Sequence, residues 1–505
     1  MVALLSHLVR GSGADEAIAD QRRTLTWAEL DARVNRWVRA LRAAGLRPAD
    51  RVAVVSGNRI ECLEILLACL HSGLVLVPVN CRLAATEIAH IVSDAGCEVV
   101  VSDPERREVT AEAVTGRGVR HLCIEQDLRD ADAGEPDAQS CGGLMLYTSG
   151  TTGRPRGVIS HLFTPGAPID SVRATLRGAR HVVGIPSGRR GLLVCPWYHS
   201  APLYFALMSL LLGNRTRVVD RFEPGEFLDV VGAESIDHCH LVPTQFVRLL
   251  RYRASTGGSG DAGSLETVWH GGGACDVETK TAMLAWWGPV LVEYYGATEG
   301  GIVAMIDAQQ WERHPGSVGR PLPRTTVTIV DSDGRALPPG TRGRVFVERA
   351  TRAGFEYHND PSKTRAAHLR PGVYTFGELG HLDDEGYLYL DGRDDDTIVS
   401  GGVNIYPAEV VAALLRHPAV VDVAVFARPD AEFGQVAAAL VMTEEPDHER
   451  LPAVLREHCT GLIAGFKVPR MWWFTRELPR DETGKLRHAT IREFTRAHAG
   501  RGRLA

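Results

Sequence analysis

Residues 147–158 read Tyr-Thr-Ser-Gly-Thr-Thr-Gly-Arg-Pro-Arg-Gly-Val. From Thr148 through Ser149, Gly150, Thr151 and Thr152 to Gly153, every residue is a hydroxyl residue or a glycine. Glycine lets the backbone approach an anion closely and adopt positive φ. Successive N–H groups in such a turn form a concave nest for phosphate. Hydroxyls, with the guanidinium groups of Arg154 and Arg156, complete the hydrogen bonding and neutralise charge. The apolar run 144–146 just before predicts a strand that delivers the loop. No Gly-Lys-Ser/Thr follows, so this is a triphosphate cradle of another kind than a Walker loop. A second constellation, His238-Cys239-His240, puts two histidines on one face of a predicted strand. No third or fourth ligand arrives at zinc spacing, and packing is the expected role.

These groups need a scaffold. Thr26 and Glu29 form a capping box before an amphipathic run over 27–44, which Gly45 ends. A strand over 51–55, a helix over 61–71 and a strand over 74–79 follow, with further strands over 97–102 and 119–124. Such alternation predicts a layered α/β fold. From about residue 325 short strands and turns take over, a β-rich segment. The charged stretch 391–396 has the composition of a hinge. Beyond it, a helix over 407–415, a strand over 420–427 and a helix around 449–459 predict a small α+β domain.

Composition narrows the function. A chain of 505 residues is too long for one core. A net charge of −6, with a basic tract only at 496–503, argues against nucleic acid as the main partner. The ten cysteines include no Cys-x-x-Cys, which fits a reducing cytoplasm. The first ten residues are too sparsely apolar for a signal peptide. The most apolar window, 62–79, is broken by Glu64, His71, Gly73 and Pro78 and predicts no membrane span.

Three later motifs join the loop: Tyr295-Gly296-Ala297-Thr298-Glu299; Asp391-Gly392-Arg393 through Gly401-Gly402-Val403-Asn404-Ile405-Tyr406-Pro407; and Pro479-Arg480-Asp481-Glu482-Thr483-Gly484-Lys485. Their order and spacing across nearly the whole chain resemble the adenylate-forming superfamily of acyl-CoA synthetases, adenylation domains and luciferases. The resemblance implies a large α/β N-terminal domain of several subdomains, 1–394, and a small mobile α+β C-terminal domain, 395–505, pivoting at Asp395. It implies ATP (or a supplied acyl-adenylate), Mg²⁺ and coenzyme A. A carboxylate attacks the α-phosphate and releases pyrophosphate; a thiol then attacks the acyl carbonyl and expels AMP. Both steps build negative charge, so fixed donors and a metal matter most.

On this resemblance, 148–153 cradle the β- and γ-phosphates, Thr151 and Glu299 take Mg²⁺, and Thr298 donates to the α-phosphate. Tyr295 and Gly296 face adenine, Gly271, Gly272, Gly273 and Ala274 run along the base and acyl chain, and Arg393 holds ribose or phosphate. Lys485 is the mobile lysine of adenylation, His199 stands beside the acyl and pantetheine tunnel, and Gly401 and Gly402 line the thiol channel. Trp197, Tyr204, Phe205, Gly271, Ala297, Gly300 and Gly301 are the candidate acid pocket.

Two positions depart from the pattern. Arg156 stands where lysine is expected, and Glu378 where relatives place a ribose-binding aspartate. Both touch the nucleotide, which raises the alternative of an enzyme that mainly thioesterifies a preformed acyl-adenylate. Residues 196–212 contain no acidic side chain to pair with an amino group. A plain, bulky or long apolar acid is therefore expected, and 269–301 is similar to bacterial ligases for fatty and polycyclic acids. The arginine-rich segment 163–190 is either a cover over the substrate mouth, a CoA-phosphate contact or a solvated loop. No carrier module follows Lys485, so free CoA is the expected acceptor, with a separate carrier protein as the alternative. An inactive adenylate-binding relative is the remaining one. Homodimers are common in the superfamily.

Overall fold

The computed structural model describes residues 4–125, 132–148, 155–160, 162–257, 262–350, 354–393, 398–400, 403–430, 433–445, 449–460, 462–480, 486, 488–497 and 503–504. The chain divides into two compact units. The first comprises residues 1–272, 279–309 and 353–366; the second comprises 273–278, 310–352 and 367–505. The expected division at 394/395 falls inside the second unit, because the β-rich segment groups with the C-terminal residues. Asp395 lies outside the described residues.

The first unit holds two sheets. In one, Arg120–Cys123, Val99–Ser102, Arg51–Val55, Val75–Val79 and Gly143–Thr148 run parallel, and Arg156–Ile159 closes the edge antiparallel. In the other, Leu291–Ala297, Thr267–His270, His238–Leu241, Arg190–Leu193, Arg215–Val218 and Glu16–Ala19 run parallel. Antiparallel Gly301–Asp307 and Thr24–Thr26 flank them. Parallel sheets are covered on both faces by helices, which explains the near-continuous apolar runs of their strands.

The capping box is present: Thr26 Oγ1 accepts from Glu29 N (3.2 Å) and Thr26 N donates to Glu29 Oε2 (2.8 Å). Helix Trp27–Ala43 buries Trp27, Leu30, Val34, Trp37, Val38 and Leu41, the stripe its period dictates. Helix Ile60–Ser72 is buried all round and ends at Gly73, whose φ of 78° is left-handed. Its Glu64 is satisfied inside the protein by Arg23 (3.1 Å), Arg33 and the indole N–H of Trp37 (3.1 Å). No helix among the described residues is long and apolar enough to cross a membrane. Part of the 163–190 segment is helical, at Val172–Gly178. Val172, Ala179, Val183 and Ile185 enter the core, so this stretch is not simply a solvated loop.

In the second unit, His368–Arg370, Val373–Tyr374, Gly343–Arg349, Glu378–Leu382, Leu388–Arg393 and Ser317–Pro321 form an antiparallel sheet, with Thr325–Val330 also on Gly343–Arg349. A further sheet is built on the hairpin of Asp422–Asp430 and Gly434–Met442, joined by parallel Met471–Thr475. Helices Pro407–Leu415 and Leu451–Thr460 pack on it through Val410, Leu414, Leu455 and Cys459, the α+β arrangement expected.

Candidate active site

Strand Gly143–Thr148 delivers the glycine- and hydroxyl-rich loop, and Arg156–Ile159 receives it, with Thr148 opposite Arg156. Ser149, Gly150, Thr151, Thr152 and Gly153 lie outside the described residues. Arg156 has a local partner that the sequence did not suggest. Its Nε is 3.3 Å from Asp360 Oδ2. Asp360 also accepts from Lys363 N (3.0 Å) and Ser362 Oγ (2.7 Å) at the start of helix Pro361–Ala366. The Lys363 N–H, the Ser362 hydroxyl and Arg156 hold this carboxyl below its ordinary range.

Strand Leu291–Ala297 carries the next motif. Its Glu293 is fixed by Lys280 in a buried ion pair (2.6 Å). Against Gly301–Asp307 the register slips between Tyr295 and Gly296. A Cβ at Gly296 would lie 2.4 Å from the Gly301 carbonyl oxygen, so glycine is required where the strands close. Bulges of this kind re-aim the residues beside them. Thr298 Oγ1 lies 3.0 Å from Ser200 Oγ. Ser200 opens helix Ser200–Leu211, and His199 is its N-cap residue with extended backbone. The hydroxyl of Thr298 is thus tied to the first residue of the helix that follows His199. Tyr295 is buried, Ala297 and Glu299 are half-buried, and Gly300 is buried.

Glu299 Oε1 accepts from the Tyr357 hydroxyl at 2.9 Å. A hard divalent cation takes oxygen ligands. A half-buried carboxylate that accepts from a phenol on Oε1 offers oxygen donors of the kind magnesium takes, so its chemistry fits that cation. Thr151, the other expected ligand, is outside the described residues. Among the described residues no three His, Cys, Asp or Glu side chains gather as a metal site.

Of the residues expected in the acid pocket, half-buried Tyr204 stands edge-on to Phe205 (5.4 Å). Phe205 stacks on His240 (5.1 Å) and Trp269 (5.0 Å). His240 Nε2 is 2.9 Å from the Tyr294 hydroxyl, and His238 Nε2 is 2.8 Å from Ser209 Oγ. Burial pushes His238 down to about 4 and His240 down to about 3, so both rings are neutral near pH 7. Packing is indeed their role.

Two pocket expectations need correction. Trp197 is wholly buried, its indole N–H donating to Ser56 O at 2.8 Å, so it belongs to the core. A Cβ at Gly271 would meet Tyr294 O at 2.6 Å and the Tyr294 ring at 2.7 Å, so this glycine makes room for Tyr294 and not for an acid. A Cβ at Gly272, at φ 77°, would meet Val242 Cγ1 at 4.0 Å, and one at Gly273 would meet no other atom of the described residues within 4 Å. Ala274 follows them outside any helix or strand.

In the second unit the strand register sets Glu378 opposite Arg393, the two residues expected at the ribose. Gly401, Gly402 and Lys485 lie outside the described residues. Sequence reasoning missed Ser200, Tyr357 and Asp360. Asn359-Asp360-Pro361 reads as a helix start, but nothing local ties Tyr357 to a carboxylate 58 residues away.

Two family profiles cover most of the chain: AMP-binding enzyme over residues 5–353, and AMP-binding enzyme C-terminal domain over 409–485. A feruloyl-CoA synthase of Amycolatopsis sp is 34% identical over 93% of this chain and 93% of its own length. A fatty acid–[acyl-carrier-protein] ligase of Streptomyces coeruleorubidus is 30% identical over 94% and 93%. The o-succinylbenzoate CoA synthetase of Bacillus subtilis, solved with its acyl-adenylate intermediate, superposes with a TM-score of 0.83 at 25% identity, over 97% of this chain and 98% of that one. The chain belongs to the AMP-binding enzyme family, within the adenylate-forming superfamily.

Proposed function

We propose that this protein is an AMP-forming acid–thiol ligase: it converts a bulky or long apolar carboxylic acid to its acyl-adenylate and passes the acyl group to coenzyme A. One observation carries the reading. Thr298, beside the candidate metal carboxylate Glu299, meets Ser200 at 3.0 Å, next to His199 at the head of the acid-side helix. This contact supports a reading in which the α-phosphate donor Thr298 and the acid pocket behind His199 lie close together, as the reaction of a carboxylate with an α-phosphate requires.

In the first step a carboxylate oxygen attacks the α-phosphorus and the bond to the β-phosphate breaks, releasing pyrophosphate. Thr298 and the 148–153 loop hold the phosphates, and Lys485 reaches the charge that develops. Glu299 and Thr151 would hold magnesium, which would supply charge neutralisation at the phosphates. In the second step the CoA sulfur attacks the acyl carbonyl and the bond to AMP oxygen breaks. The C-terminal segment, pivoting at Asp395, presents Lys485 to the first step and Gly401 and Gly402 to the second. The apolar walls Tyr204 and Phe205 support an apolar acid, as do relatives named for feruloyl and fatty acyl groups.

Arg156 favours a second reading. Part of its charge is committed to Asp360, which supports weakened adenylation and turnover mainly of a supplied acyl-adenylate. A panel of aromatic, fatty and polycyclic acids, scored for AMP release with CoA, with a carrier protein and with neither, tests the main reading. AMP release with an apolar acid and CoA is expected. Release only with a carrier protein would move the acceptor, and thioester from synthetic adenylate alone would favour the second reading. No AMP from any route would leave a binding protein.

A further inference from the structure

Residues 355–366 run as a strap beside both halves of the phosphate–metal site. The backbone at Tyr357 forms an antiparallel bridge with Val158, and His358 N donates to Gly157 O at 2.8 Å. Both contacts lie on the strand that receives the phosphate loop. His358 Nε2 is 3.0 Å from Asp94 O, and Asp94 Oδ2 in turn accepts from the Tyr147 hydroxyl at 2.6 Å on the strand that delivers the loop. Farther along, Asp360 pairs with Arg156. The strap is therefore fixed against both strands that flank the loop, while the Tyr357 side chain reaches Glu299 in the turn between Leu291–Ala297 and Gly301–Asp307.

We propose that Tyr357 is a positioning residue for the metal-binding carboxylate of Glu299, and so sets its geometry relative to the strands Gly143–Thr148 and Arg156–Ile159. This rests on the reading that Glu299 holds the magnesium of bound ATP. The phenol is itself immobilised. Phe355 packs edge-on at 5.2 Å, and Lys363 Nζ lies 4.9 Å over the ring, drawing density from it and strengthening the O–H as a donor. A neutral donor on Oε1 fixes one rotamer of Glu299 and leaves Oε2 for the cation. Groups that orient a metal ligand in this way typically govern affinity by about tenfold to about a hundredfold.

The test is Tyr357→Phe, which removes one oxygen and keeps the ring. It predicts that Mn²⁺·ATP binding, read by electron paramagnetic resonance, weakens by about tenfold or more. The Mg²⁺ concentration for half-maximal pyrophosphate release rises in parallel. ATP affinity in EDTA and the melting temperature stay at the wild-type values. Glu299→Gln serves as the control. If it shifts metal dependence and Tyr357→Phe does not, the positioning role is overturned while the ligase reading stands. If neither shifts it, Glu299 holds no metal, and the positioning role falls together with that assignment. A Tyr357→Phe protein that loses metal-free ATP binding equally would make the phenol a packing group, which also overturns the proposal.

Discussion

Burial sets the protonation of the histidines behind the acid side. His238 and His240 are held neutral because charging them inside an aromatic cluster lacks solvation. Their folded pKa values, about 4 and about 3, lie below the ordinary 6.5. Between these values the unfolded chain binds the extra protons. Their contribution to stability is therefore complete above about pH 6.5 and is lost as pH falls toward 4, at up to about 1.4 kcal/mol per pH unit for each ring. Urea unfolding from pH 7.5 to 5 is expected to show this fall. His238→Gln, which keeps a partner for Ser209, should flatten the slope by about one histidine's share. An unchanged slope would show that His238 is not held neutral.

At the scale of elements, the strand Leu291–Ala297 leads into the proposed phosphate-side residues Thr298 and Glu299 and is anchored by the Lys280–Glu293 pair. Removing one partner of a buried pair strands the other charge. Lys280→Met should cost about 3 kcal/mol or more, while Lys280→Met with Glu293→Leu should recover most of it. Chemical denaturation of the two variants checks this, and equal losses would show that the pair does not act as a unit. Much of this level was legible in the sequence where the signal is local. The Thr26–Glu29 capping box, the buried helix Ile60–Ser72 and the strand ahead of the phosphate loop follow from spacing alone. What was not legible is orientation and reach. Trp197 adjoins the acid-side motif, yet nothing in its neighbours says that its indole turns to Ser56. The same limit hid Ser200 under Thr298, Asp360 beside Arg156, and the occupation of Gly271's side-chain space by Tyr294.

Over the whole molecule, the residues proposed for the reaction come from both compact units of the chain. The phosphate loop, Thr298, Glu299 and the acid-side helix belong to the first; Glu378, Arg393 and the segment with Lys485 belong to the second. The most direct test follows an oxygen atom. With a turned-over acid labelled with ¹⁸O in its carboxylate, attack on the α-phosphorus followed by thiol cleavage leaves one carboxylate oxygen on AMP. Mass spectrometry is predicted to find one ¹⁸O in each AMP, with pyrophosphate unlabelled. Unlabelled AMP, or label in inorganic phosphate, would contradict activation through an acyl-adenylate.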